Sequence, residues 1–315
     1  MTGIVKKIIG SILTIAVVAC LVFIAFAVIP GDPAVAKLGT QATPERLAAL
    51  RETMGLNKSV PARFVEWIAG VVRGDFGSSY SYSMPVTKLI SDKLPVTVIL
   101  TLYSFVLMIV VSVPLAIVAA RHENSAIDRV IQILSQVTMS VPPFFGGIII
   151  TLIFGLWLHL FAPGGYVSYT IDPVRFLTYM LWPALAIALP KGAMAFSLLY
   201  GGLTTERRKD YARTAYSRGN STKDVFYKHL LKNACIPVIT FFGMALADMI
   251  AGSIVIEQVF GIPGLGRILL ISIQNRDYPV VEAIIVCIAV LVIVSNLLVD
   301  ILYGVIDPRI VSGDE

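Results

Sequence analysis

The chain has 315 residues, of which 57% are hydrophobic and only 14% charged, with a formal net charge of +5 and a mean hydropathy of +0.82. Ordinary soluble domains carry about 25% charged residues, so there is too little polar surface here to coat water-soluble globules, and the same apolar content excludes disorder. The cysteines, Cys20, Cys235 and Cys287, all lie in or beside apolar runs, which excludes a disulfide scaffold and leaves an all-α polytopic membrane protein.

A membrane helix needs about 20 mostly apolar residues. The first qualifying stretch covers 8–30, behind a short 1–7 segment carrying Lys6 and Lys7. Ala25-Phe26-Ala27 resembles a cleavage site. The run is far longer than a signal-peptide core of about 7–15 residues, which predicts an uncleaved anchor. Segment 31–93 is the one sizeable piece outside the spans, and it opens on the helix stop Pro30-Gly31-Asp32-Pro33. Thr43 as cap and Pro44 at the first helical position predict a helix over 45–54. A second, amphipathic run over 62–72 carries Phe64 and Trp67 on one side, and Gly74 to Ser79 is a turn cluster.

The core occupies 94–306. Spans are predicted near 94–120, 130–161, 176–203, 236–260 and 279–305, giving six in all. Pro142-Pro143 predicts a kink or break in the third, because proline removes a backbone donor and clashes with the preceding turn. Gly243, Ala247 and Ala251 recur every four residues in the fifth. Small residues at that spacing let membrane helices approach closely, within one subunit or between two.

Charge inside hydrocarbon is costly and points to function. Lys191, Asp248, Glu257, Glu282 and Asp300 fall inside spans. Glu282 and Asp300 lie near span ends, where headgroups or water are in reach. Asp248 and Glu257 are expected to face protein or a water-filled path, with Lys191 as the obvious cation for one of them. The alternatives are a structural pair or a wall of the translocation path.

Basic residues set orientation. With the N-terminus inside, the inner segments hold Lys6, Lys7, Arg121, Arg129, Arg309 and the eight from Arg207 to Lys232. The short outer loops hold only Arg175, Arg267 and Arg276. Both termini, 1–7 and 307–315, are therefore expected in the cytoplasm and 31–93 outside. The net positive charge reads as this rule and not as a nucleic-acid footprint.

No Gly-Lys-Ser/Thr occurs, so no P-loop is present. The glycines of 261–266 lack dinucleotide spacing and follow a membrane helix. His122, His159 and His229 are scattered, without H-E-x-x-H. The chain reads as neither an enzyme nor a holder of metal or cofactor.

The inner loop over 204–236 is long for a helix–helix connection of about 2–8 residues. A helix is expected over 206–217, with Tyr211, Thr214 and Ala215 on one side. Gly219-Asn220 stops it. Ser221 caps a second helix with Asp224 three residues on, whose apolar face is Val225, Phe226, Leu230 and Leu231. Two short helices at a fixed angle make a stiff cytosolic knob.

This knob resembles the coupling loop of ABC-importer permeases, whose pattern is E-A-A-x-x-x-G. Arg213-Thr214-Ala215-Tyr216-Ser217-Arg218-Gly219 takes its place. Arg213 stands where that family has its glutamate, so no carboxylate role transfers. Asp210-Tyr211-Ala212-Arg213-Thr214-Ala215 and His229 to Pro237 are similar to the dipeptide/oligopeptide/nickel branch, first permease type. So, in order, are Pro30 to Pro33, Arg73 to Ser79, Glu257 to Phe260, Pro263 to Gly266, Asn275 to Pro279 and Asp307 to Arg309.

The resemblance implies a type I ABC importer permease fold in a prokaryotic cytoplasmic membrane. It implies a second homologous permease as heterodimer partner, two cytosolic ATPases and an extracytoplasmic substrate-binding protein. It also implies alternating access, with Asp210, Tyr211, Arg213, Thr214, Ala215, Gly219 and His229 in the ATPase-coupling segment. Family substrates include peptides, glutathione and nickel or other metal chelates. The rival readings are a secondary transporter, which needs an inverted repeat with broken helices, and, more distantly, an intramembrane enzyme.

Overall fold

The computed structural model describes residues 2–28, 31–39 and 42–306. Pro30, the 307–309 motif and the side chain of Asp300 lie outside the described residues. Among the described residues the architecture is helical. Helix α1 is Thr2–Val28, and α2 (Pro33–Leu38), α3 (Pro44–Thr53) and α4 (Val60–Val72) come next. Then come α5 (Val86–Arg121), α6 (Ala126–Ser140) and α7 (Pro143–Ile150), which continues as a π-helical turn over Thr151–Trp157. Helices α8 (Pro173–Arg207) and α9 (Asp210–Ser217) precede α10 (Thr222–Asp224). A π-helical segment over Val225–Leu230 joins α10 to α11 (Leu231–Phe260), and α12 (Leu265–Gln274) and α13 (Tyr278–Ile306) complete the chain.

Five helical stretches are long and apolar enough to cross a membrane: Lys7–Val28, Val86–Arg121, Pro173–Arg207, Thr222–Phe260 and Tyr278–Val299. Counting one bent helix pair as a single broken span brings the number to six. Ala126–Ser140 and Pro143–Trp157 meet at 107°, at the proline pair that sequence marks as a kink or break.

Other boundaries shift for local reasons. Asp32 does not simply end a helix. Its carboxylate accepts the Ala34 amide at 2.8 Å and caps α2, with Pro33 at the first position. Helix α5 starts near residue 86 rather than 94, because a polar first turn is tolerated outside hydrocarbon. Helix α12 has no counterpart in the sequence reading; its ten residues are too few for a span.

The chain forms two compact units, 1–98 with 263–294, and 99–262 with 295–315. In the first, Phe23 of α1 packs on Phe64 and Trp67 of α4 at ring distances of 5.1 and 5.7 Å. Arg51 of α3 donates to Asp32 at 2.6 Å. Burial pushes the Asp32 carboxyl up, but the Arg51 guanidinium and the Ala34 amide outweigh it and hold the group below its ordinary range.

Asp277 organises the rest of that unit. It is fully buried and accepts from the Ser79 hydroxyl at 2.5 Å and from the Tyr80 and Ser81 amides at 2.9 Å each. The Ser79 hydroxyl oxygen in turn accepts the Tyr82 amide at 2.8 Å. Gly31, at φ +130, leaves room for the Arg276 guanidinium, which a β-carbon would overlap. Three sequence-distant motifs therefore meet here: Gly31-Asp32-Pro33, Arg73 to Ser79 and Asn275 to Pro279.

In the second unit α8 lies against α11, α6 and α7. The small-residue stripe of α11 divides. Gly243 is buried, and a β-carbon there would collide with Val299 of α13. Ala247 is half-buried and Ala251 exposed. Gly243 thus serves packing within the chain, and the stripe leaves the chain's own contacts at Ala251.

Asp277→Ala is expected to strand the Ser79 hydroxyl and two amides, at about 1.5–3 kcal/mol for charge-assisted bonds. Thermal unfolding of the purified protein in nanodiscs would show a lowered midpoint, with Asp277→Asn intermediate.

Candidate functional site

The loop after α8 is held by three layers of interaction. The first is at its entrance. Arg207 donates to Glu123 at 2.9 Å and to the Ala120 carbonyl at 2.8 Å, fixing the end of α8 to the turn after α5. Helix α8 runs on through Arg207, so the expected helix over 206–217 is two pieces. Arg208 and Lys209 break it, and α9 starts at Asp210.

The second layer is polar. Glu206 accepts from Lys209 at 2.6 Å and from the Tyr211 hydroxyl at 2.5 Å. Asn233 of α11 donates to the Tyr211 oxygen at 3.1 Å. Burial, then the Glu206 carboxylate, push the Tyr211 phenol above its ordinary value. This triangle ties α8, α9 and α11 at one point.

The third layer is apolar. Ala212, Ala215, Val225, Phe226 and Leu230 are buried in one cluster with Ala116, Ala119 and Ala120 of α5 and Phe196, Leu199 and Leu203 of α8. Ala234 and Val238 of α11 complete it. Alanines on α9 let a short helix sit close to its neighbours. Thr214 departs from the sequence reading. It is exposed, its hydroxyl bonded to the Asp210 carbonyl at 3.0 Å, and Ala212 takes the inward position instead.

Gly219 ends α9 at φ +82, a left-handed conformation suited to glycine. Ser221 accepts the Asp224 amide at 3.1 Å, which caps this start, and its hydroxyl donates to the Asp224 carboxylate at 2.6 Å, in place of the backbone N–H that a full capping box would use. The element it caps differs from expectation. There is no separate second short helix, since Thr222–Phe260 is one continuous helical rod passing through the π-helical segment into the fifth span. Asp210, Arg213, Thr214, Gly219 and His229 are exposed on this loop. Asp210 and Arg213 approach only to 3.9 Å.

The intramembrane charges separate in the structure. Lys191 of α8 and Asp248 of α11 pair at 2.7 Å, with 65% of the Asp248 side chain exposed. Glu257 is fully buried. Glu282, expected to reach headgroups or water, is 5% exposed and lies on the wall of a cavity. Asp128, unmarked in the sequence, is buried and accepts from the Asn124 amide, Gln132 and Tyr200 at 2.9, 2.7 and 3.1 Å. Arg207 with Glu123, Tyr200 with Asp128, and Asn233 with Tyr211 pair across long stretches of sequence, and no local spacing announces them. Among the described residues no group of three or more His, Cys, Asp or Glu is arranged to hold a metal ion.

The capped loop and the charge pair are carried by helices long and apolar enough to cross a membrane, which places the chain among polytopic membrane proteins. Comparison with known families gives the same class. Residues 112–312 match the family of binding-protein-dependent transport system inner membrane components, and residues 1–101 match its N-terminal companion. The chain belongs to this family, with the type I ABC permease fold.

Among curated proteins it is 34% identical to a probable peptide ABC transporter permease of Sinorhizobium fredii, over 98% of each chain. It is equally identical to an oligopeptide transport system permease of Bacillus subtilis, over 98% of each chain. A glutathione transport system permease of Pectobacterium atrosepticum is 34% identical over 97% of each.

Tyr211→Phe is expected to leave Asn233 without its acceptor and to loosen α9 by about 1–3 kcal/mol. Limited proteolysis in nanodiscs would show faster cleavage near 208–209, with the spans intact.

Proposed function

We propose that the chain is one of two homologous permease subunits of an ATP-driven importer that carries peptides across the cytoplasmic membrane by alternating access. The single observation that carries this reading is the buried cluster joining 212–230 to the ends of α5, α8 and α11. A loop packed this way cannot move without moving the spans, since close-packed interiors transmit displacement rather than absorb it. The peptide assignment rests on the names of the relatives. The glutathione carrier among them has a peptide-like substrate, and a nickel or metal chelate is the alternative cargo for a permease of this pattern.

In this reading both termini and the 204–236 loop are cytoplasmic and 31–93 is extracytoplasmic, by the distribution of basic residues. Two ATPase subunits engage the exposed face of Asp210, Arg213, Thr214, Gly219 and His229, and a binding protein delivers substrate to the opposite side. Tyr211 and Ala215 do not contact the ATPases; they hold the loop on the helices. ATP binding closes the partner subunits, and α9 with the rod beginning at Thr222 carries that motion inward. Energy comes wholly from those partners. The pair Lys191–Asp248 lines the translocation path, while Glu257 is an internal structural charge.

Affinity purification of the tagged chain is expected to bring down ATPase subunits; a chain that purifies alone and still takes up peptide would overturn the reading. Gly219→Pro imposes a φ near −65° where +82° is needed. It is expected to abolish uptake while ATP hydrolysis by the assembled complex persists and membrane levels are unchanged. Gly219→Ala meets no steric contact and costs only the left-handed penalty of about 1–2 kcal/mol, so uptake should fall less. Normal transport by the proline variant would refute the lever.

Lys191→Met and Asp248→Asn singly leave one charge unpaired in the membrane and should each lower uptake severalfold. For a path-lining pair the double variant stays impaired. Recovery to wild-type uptake would make the pair structural.

A further inference from the structure

The first unit holds a cavity of 610 Å³ walled by α1, α3, α4, the 75–83 turn and the first turns of α13. Its volume falls within the range of about 300–1,000 Å³ usual for small-molecule sites. Its polar groups are unusual. Glu282 lines it at 5% exposure, and among the described residues no hydrogen bond or ion pair reaches its carboxylate. The Trp67 indole nitrogen and the Tyr278 hydroxyl, both from lining residues, are also buried without a partner. Arg63 lines the same cavity, close enough to influence Glu282 electrostatically yet not paired with it.

Buried polar groups are almost always satisfied, and a buried carboxylate more so than any other. These two orphans, with the Glu282 carboxyl on the same wall, therefore describe a complement. Ionised, as it would be against a cation, Glu282 accepts only; Trp67 donates only, and Tyr278 does either. Phe23 and Trp67 add aromatic faces, which attract cations. A group that satisfies Glu282 and Tyr278 together is a primary ammonium ion. An adjacent carbonyl would take the Trp67 N–H, and a carboxylate beyond it would meet Arg63.

We propose that this cavity is a reception site for the amino terminus of a short peptide, with Glu282 holding the ammonium group. The proposal rests on the peptide-import reading and adds to it a site on the permease itself, on the unit built from 31–93 and the start of the last span. Glu282 and Trp67 are specificity-determining residues here, and neither belongs to the coupling loop nor to the Lys191–Asp248 pair.

Thr53 lines the cavity and is exposed at the end of α3. In the assembled transporter in nanodiscs, with Cys20, Cys235 and Cys287 replaced by alanine, Thr53→Cys provides a maleimide target. Dialanine is expected to slow its labelling, and N-acetyl-dialanine, which lacks the ammonium, is expected not to. Adding Glu282→Gln should raise the dialanine concentration needed for protection about tenfold or more, as expected for loss of a charge-assisted bond.

Trp67→Phe keeps the ring against Phe23 and removes the N–H. It should weaken protection less, and it serves as the second variant should Glu282→Gln fail to assemble. Equal protection by the acetylated peptide, unchanged protection in both variants, or no protection of the parent Thr53→Cys protein overturns the proposal. Dialanine uptake by cells carrying the wild-type transporter separates the two readings. Uptake without protection refutes the cavity alone, while absence of peptide uptake refutes the import reading and the proposal with it.

Discussion

The structure turns on one constraint: a short loop between two long apolar helices must be held rigidly on their ends. The solution is to bury alanines. Ala212 and Ala215 of α9 meet Ala116, Ala119 and Ala120 of α5 in a cluster sealed by Phe196, Phe226 and Leu230. Small side chains bring backbones close and lose no rotamer entropy on burial. The polar triangle Glu206–Tyr211–Asn233 and the Arg207–Glu123 pair then set the loop's position around that contact. With these in place the exposed residues of α9 are available as a surface, since the fold does not depend on them.

The first unit follows a different logic. Its helices α2, α3 and α4 are short, and α3 contributes no buried residue. A buried carboxylate, Asp277, adds a polar anchor beside an apolar core that includes Leu265, Val280, Val281 and Ile284. It gathers a hydroxyl and two amides of the 79–81 turn. Conformation there is specified by hydrogen bonds from a fixed charge, and apolar contacts such as Phe23 with Phe64 and Trp67 complete it. The cavity lies in the same unit, and its unpaired groups give it chemical character.

The π-helical segment at Val225–Leu230 links the two functions of one rod. A π turn closes its hydrogen bonds one residue further along than an α turn, so it widens the helix and offsets the faces on its two sides. It lies between the capped start at Ser221 and the span beginning near Leu231, with Val225, Phe226 and Leu230 all buried. The capped start and the span are thus one piece of backbone. Pattern reading divided them because charged residues recur up to Lys232 and are then absent until Asp248, and charge changes more abruptly than backbone geometry.

The sequence by itself determined the membrane class, the apolar stretches, the break at Pro142-Pro143, the caps at Thr43 and Ser221, and the stop at Gly219. Each of these is a local matter of hydrophobic length, a proline, or a side chain within three residues of the amide it binds. It also offered Lys191 as the cation for Asp248 or Glu257, because an isolated charge in hydrocarbon requires a partner. Tertiary structure alone decided that Lys191 takes Asp248, that Asp277 holds Ser79, that Tyr211 joins Glu206 to Asn233, that Ala212 rather than Thr214 points inward, and that Glu282 is buried at a cavity. These depend on groups far apart in the chain, or on which face of a short helix finds a neighbour. Periodicity does not encode either, because both are fixed only when the helices have packed.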